Sequence, residues 1–172
     1  MTKNLIEENG VYLFDCNRAL WCSGDMHDDY RSAHLQLSDA DFIIETDDRI
    51  LLVEYKNACI PQALNHVKDQ DVYNPFHNDK YNKIVRKFYD SLHYLRLIKK
   101  LDKPVHYVFV LEYPKDNSVL RRKFRERLQK SLPFELQRKL NTGIQLIASV
   151  SVVNIEEWNQ DKVFGMFPIR PV

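Results

Sequence analysis

Apolar and polar positions alternate most legibly between residues 41 and 56. Phe42-Ile43-Ile44 and Ile50-Leu51-Leu52-Val53 are apolar runs divided by Thr46-Asp47-Asp48-Arg49. Short continuous apolar runs of this kind fit strands buried on both faces. Asp47-Asp48 is the turn-like pair between them and predicts a tight hairpin loop. That register sets Thr46 across from Arg49, Asp41 across from Glu54 and Asp39 across from Lys56. Side chains alternate along a strand, so Glu54 and Lys56 share one face, while Val53 and Tyr55 share the other with Phe42 and Ile44.

The rest of the chain reads as alternating strands and helices. Residues 11–14 and 19–22 predict the two strands of a first hairpin, and residues 24–37 a polar, turn-rich loop over the site. Residues 60–79 form a long polar connection with Pro61 and Pro75, with one short helix over 62–69. Over residues 79–101, Ile84, Phe88, Leu92, Leu95 and Ile98 make an apolar stripe at helical spacing. Residues 105–113 predict a strand, 118–140 a second helix with Leu120, Phe124 and Leu128 inward, and 144–153 a last strand. The segment with Trp158 and Phe164 caps the core.

Composition narrows the class. A chain of 172 residues with 44% hydrophobic content and four glycines fits one compact α/β domain. No apolar run approaches the length of a membrane span, and the first residues are too polar for a signal peptide. Three cysteines, an odd and widely spaced set, suit a reducing cytoplasm. Cys16, Cys22, His27 and His34 match no standard zinc spacing. Asp25, Asp28 and Asp29 read as loop residues rather than ligands. His66, His77, His93 and His106 are scattered and read as structural.

The net charge of +1 hides an asymmetry. Residues 1–79 hold 6 Lys/Arg against 15 Asp/Glu, a net of −9, and residues 80–140 hold 17 against 6, a net of +11. Lys80, Lys83, Arg86 and Lys87 crowd the start of the first long helix, and Arg121, Arg122, Lys123 and Arg125 that of the second. Basic helices beside an acidic centre suit a polyanionic substrate, DNA first and RNA as the alternative.

The acidic centre has its own chemistry. Directly opposed residues in a hairpin bring Cβ atoms to about 4.5–5.5 Å. Two carboxylates that close repel unless a cation or a proton lies between them. Asp41, Glu54 and the backbone carbonyl of Tyr55 offer oxygen ligands for Mg²⁺ or Mn²⁺. Lys56 would orient the attacking water or stabilise charge growing on the phosphate oxygens. These parts point to metal-dependent hydrolysis of a phosphodiester.

Asp41 followed by Glu54-Tyr55-Lys56 resembles the signature of the PD-(D/E)XK nuclease superfamily: an Asp opening one strand and Glu/Asp-X-Lys on the next. Ala40 stands where the family's name has Pro. The resemblance covers a core of about residues 1–113, with a helix and strand extension over 114–172. It implies a restriction-endonuclease-like α/β fold, a central mixed β-sheet flanked by helices. It implies a metal-dependent DNA endonuclease with Asp41, Glu54 and Lys56 catalytic. It further implies a Glu on the first helix near the metal, for which Glu7 and Glu8 are the candidates; Asp39 competes with Asp41. A homodimer or a partner subunit is expected for cutting two strands. The competing expectation is a non-catalytic nucleic-acid-binding or assembly module, or a nuclease acting on RNA or only inside a larger complex.

Overall fold

The computed structural model describes residues 3–59 and 74–172. Two sheets organise the chain. The larger has five strands in the order β3-β4-β5-β6-β7: β3 (Trp21–Ser23), β4 (Phe42–Glu45), β5 (Ile50–Asn57), β6 (Val105–Glu112) and β7 (Ile147–Val153). β3, β4 and β5 pair antiparallel, and β5, β6 and β7 pair parallel. The smaller sheet joins β1 (Asn4–Ile6), β2 (Tyr12–Asp15) and β8 (Ile169–Pro171), all antiparallel. The chain is therefore α/β, with a five-strand mixed sheet flanked by helices.

The hairpin has the expected register. Phe42 pairs with Val53 and Glu45 with Ile50, and Thr46 N–H donates to the Arg49 carbonyl at 2.9 Å. Strand alternation then splits the apolar residues between two cores. Ile43, Ile50 and Leu52 pack beneath the helices with Ile84, Phe88, Phe109 and Phe124. Phe42, Ile44, Leu51, Val53 and Tyr55 face the small sheet with Phe14, Trp158 and Ile169.

Parallel strands need crossover connections. The chain between β5 and β6 includes α2 (Asn78–Leu97), and that between β6 and β7 includes α3 (Ser118–Ser131) and α4 (Phe134–Leu140). α2 carries Ile84, Phe88, Ser91 and Leu95 buried against the sheet. Asn117 caps α3 by accepting from Leu120 N–H at 2.9 Å, and Asn154 caps α5 (Ile155–Gln160) by accepting from Glu157 N–H at 2.8 Å. α2 and α3 are tied by Tyr81, whose hydroxyl reaches the Arg127 carbonyl at 2.8 Å and Ser131 Oγ at 2.6 Å.

Four expectations change. Residues 12–15 and 21–23 are strands, but not of one hairpin: β2 pairs with β1 and β8, and β3 with β4. The polar stretch 24–37 contains a helix, α1 (Met26–Ser32), which buries Met26 and Tyr30. The expected helix over 118–140 is two helices broken at Leu132-Pro133, where Leu132 turns extended ahead of the proline. Residues after 113 are integral, since they supply β7 to the large sheet and β8 to the small one. Trp158 does cap the second core: it is fully buried and stacks on Phe164 at 5.0 Å. The expected short helix over 62–69 lies outside the described residues. No helix among the described residues is long and apolar enough to cross a membrane.

Candidate functional site

β5 is apolar from Ile50 to Val53 and then turns polar at Glu54, Lys56 and Asn57 while staying largely buried. This is the carboxyl end of the strand, the edge at which open α/β sheets present ligand sites. A cavity of about 580 Å³ opens there, lined by Glu8, Asp28, Asp39, Asp41, Glu54, Lys56 and Lys87 among others.

α2 positions the opposing segment. Ser38 N–H donates to Asp90 Oδ2 at 2.8 Å, and Ala40 N–H donates to the buried Ser91 Oγ at 3.0 Å. These bonds pin residues 38–40 to the helix and deliver Asp41 to the mouth of β4. Tyr55 N–H then donates to Asp41 Oδ2 at 2.7 Å, which fixes the carboxylate plane. In a strand the N–H and C=O of one residue point to the same neighbour. The Tyr55 carbonyl therefore faces the same edge as Asp41.

Glu54 is buried, with 6% of its surface exposed. Burial and the neighbouring Asp41 carboxylate push its carboxyl well above the usual range, against the pull of Lys87. Asp41 is likewise raised by burial, countered by Lys87 and the Tyr55 N–H and reinforced by the charges of Glu8 and Asp39. The Lys87 ammonium holds the pair together: Nζ is 2.8 Å from both Glu54 oxygens and 3.6 Å from Asp41 Oδ1. Burial works against that charge, but the two carboxylates outweigh it and raise the Lys87 pKa.

The structure thus brings Asp41, Glu54, Tyr55 and Lys56 to one edge, as expected, and sorts the weaker candidates. Glu7 is buried and committed to a turn. It accepts from Val11 N–H at 2.7 Å and from Asn9 N–H and Nδ2 at 2.9 and 3.0 Å. That turn needs Gly10 at φ +69°, a conformation glycine adopts without strain. Both Glu7 and Glu8 line the cavity. Both lie beyond the end of β1 rather than on a helix, so the expected first-helix Glu has no counterpart among the described residues. Asp39 lines the cavity but is paired with His27 Nδ1 at 3.1 Å.

The basic candidates divide as well. Lys87 belongs to the carboxylate site. Arg121 is 7% exposed and paired with Asp116 and, at 2.6 Å, with Glu157. Arg86 is exposed, but donates to Asp90 at 3.1 Å and to the Gln36 carbonyl at 3.1 Å. Lys80, Lys83, Arg122, Lys123 and Arg125 are exposed. Lys80, Lys83, Arg122 and Lys123 lie in the first half of a crossover helix, hence toward the carboxyl end of the parallel strands, and Arg125 lies at the middle of its helix.

Sequence reasoning missed Lys87 and His27 as members of the cavity. Lys87 had a signal. It sits between Ile84, Phe88 and Ser91, inside the arc that α2 turns to the sheet. His27 had none, because the polar pattern over 24–37 does not mark α1. Cys16 and Cys22 are in thiol–thiol contact; burial, reinforced by Cys22, pushes the Cys16 thiol up.

Among the described residues no group of three or more His, Cys, Asp and Glu is placed to hold a metal ion. The donor set is therefore two carboxylates, Asp41 and Glu54, plus a carbonyl. Mg²⁺ characteristically binds through one or two carboxylates while keeping several waters and taking substrate phosphate as a further ligand. The ammonium drawn between these two carboxylates shows that their geometry accepts a cation. The residues fit a sparsely held hard cation, not a closed cage. Comparison with known proteins assigns no relative: no family model matches the chain, no curated protein matches it, and no solved structure matches it.

Proposed function

We propose that this chain is a metal-dependent endonuclease that hydrolyses DNA phosphodiester bonds, built on a restriction-endonuclease-like core. The observation that carries the reading is the placement of Asp41 and Glu54 together at the carboxyl end of β5, with Lys56 lining the same cavity. Asp41 and Glu54, with the Tyr55 carbonyl, would hold Mg²⁺ or Mn²⁺. Such an ion, when bound, supplies Lewis-acid polarisation of the phosphate and a more acidic water.

The chain's own residues do the rest. The Tyr55 N–H holds Asp41 in one orientation, leaving Oδ1 toward Lys87 and Glu54. The walls of β5 and α2 keep Glu54 away from bulk water. Lys56 orients the attacking water or meets the charge that grows on the phosphate oxygens. Lys80, Lys83, Arg122, Lys123 and Arg125 supply sequence-independent attraction for a polyanion.

One observation favours a second reading. Lys87 already bonds Glu54 and stands beside Asp41, as would suit a module that binds nucleic acid without cutting it. Cleavage of plasmid, linear and branched DNA, and of RNA, in Mg²⁺ or Mn²⁺ separates the two. The enzyme reading expects cutting that is lost with chelator and in Glu54→Ala and Lys56→Ala. Binding that survives chelation, with no cutting of any substrate, sinks it in favour of the binding module.

A further inference from the structure

We propose that the Lys87 ammonium is a built-in counter-ion occupying the position a divalent cation would take between Asp41 and Glu54, so that the cation loads only as Lys87 leaves. This rests on reading that pair as a metal site.

The geometry carries the argument. Nζ is 2.8 Å from Oε1 and from Oε2 of Glu54, and 3.6 Å from Asp41 Oδ1. A hard cation would need those same oxygens at about 2.0–2.1 Å. A second positive charge cannot share that space, because like charges at contact disfavour each other's ionised forms. Two carboxylates this close cannot both stay ionised alone, so a cation or a proton must share the site. In the absence of metal, Lys87 fills that requirement.

The fold lets Lys87 leave without disturbing its helix. Its backbone sits in the middle of α2, between Ile84 and Phe88, which anchor the helix in the core. The ammonium rides on a flexible four-carbon stem. The side chain retains 27% exposure, and the 580 Å³ cavity it lines gives the stem space to swing into.

Lys87 then has a second partner available. A phosphodiester entering the cavity offers the displaced ammonium an anion in place of Glu54. Cation and polyanion would therefore favour each other's binding, reciprocally, as any two ligands linked through one equilibrium must. In the metal-free protein the ammonium holds both Glu54 oxygens and stands beside Asp41 Oδ1.

The test measures Mn²⁺ binding, by the resonance signal of the free ion, to wild type, Lys87→Met and Lys87→Gln. Removal of the competing charge should tighten Mn²⁺ binding by roughly tenfold or more. It should also make the melting temperature of both variants rise more steeply with Mn²⁺ than that of wild type. Glu54→Gln added to Lys87→Gln should abolish the gain. Should Lys87→Met fail to fold without metal, Lys87→Gln keeps a donor at the position and decides the matter. Equal or weaker Mn²⁺ binding in Lys87→Gln overturns the inference. DNA cleavage by wild type alongside that result would leave the nuclease reading standing. Tighter Mn²⁺ binding in the variants with no cleavage by wild type would do the reverse. No Mn²⁺ bound by any of the proteins overturns both.

Discussion

The ammonium of Lys87, on α2, lies 2.8 Å from each carboxylate oxygen of Glu54, on β5. A helix and a strand are thus joined by an ion pair inside the site rather than on the surface. Removing one partner of such a pair leaves an uncompensated buried charge. In chelator, Lys87→Met should cost about 2–4 kcal/mol of stability by urea unfolding. Glu54→Gln combined with Lys87→Met should lose less than the two single losses together, because the double variant leaves less charge stranded. Additive losses would show that the two side chains do not sense each other.

Ser91 predicts a link between packing and the site. Its hydroxyl is the acceptor for the Ala40 N–H, and the residue is fully buried. Ser91→Ala leaves that N–H unpaired in the interior, at about 1–3 kcal/mol. The loss should appear both in urea unfolding and as weaker Mn²⁺ binding, since the same segment delivers Asp41. Loss of stability with unchanged Mn²⁺ affinity would mean that Asp41 is positioned by Tyr55 alone.

Glu45 sets an acid limit on stability. Burial alone would raise its carboxyl, but Lys100 at 2.6 Å and Lys103 at 2.8 Å outweigh burial and hold it below the usual range. A depressed carboxyl contributes stability above its unfolded value, about 4.3, and loses it as pH falls through the folded one. Wild type should therefore exceed Glu45→Gln in urea midpoint at pH 7, with the gap closing on acidification below about pH 4. A gap that does not narrow at all as pH falls from about 4 would assign the difference to packing.

Basic residues should separate by burial. Arg121→Met removes the partner of Asp116 and Glu157 and should lower the melting temperature, at about 1–3 kcal/mol, with little change in DNA affinity. Lys80→Ala, Lys83→Ala and Lys123→Ala should leave melting nearly unchanged. Each should weaken DNA binding and shallow its dependence on salt concentration, by about one unit of log–log slope for every phosphate no longer neutralised. Fluorescence anisotropy at several salt concentrations reads both quantities.

The elements legible in the sequence are those whose signal is local. The Asp47-Asp48 turn fixes β4 against β5 within a few residues, so the pairing of Phe42 with Val53 follows directly. The stripe of Ile84, Phe88 and Leu95 marks α2, and Pro104 marks the break before β6. What stays hidden depends on distant partners. β2 and β3 look like one hairpin because both are short and apolar, yet Phe14 pairs with Ile169 and Cys22 with Ile44. β1 and β8 are too short for period-two alternation to register. Lys87 reads as surface charge because helical patterning places a side chain on a face but does not say which carboxylate waits opposite. Glu7 and Glu8 are indistinguishable as neighbours until the turn at Gly10 commits one of them.

The pairing of β2 with β8 is the longest-range contact of the small sheet. Tyr12 lies opposite Pro171, so closing this sheet carries a large loop-closure cost and should come late in folding. Until β8 docks, Phe14 and the outer face of β4 and β5 lack one side of their cover, and that exposed face is where a growing or partly unfolded chain would stick to others. In native-state hydrogen exchange, the amides of β2 and β8 should open together, and more readily than those of β5 and β6 at the centre of the large sheet. β8 is thus the latch that closes the small sheet over β2, far from it in sequence.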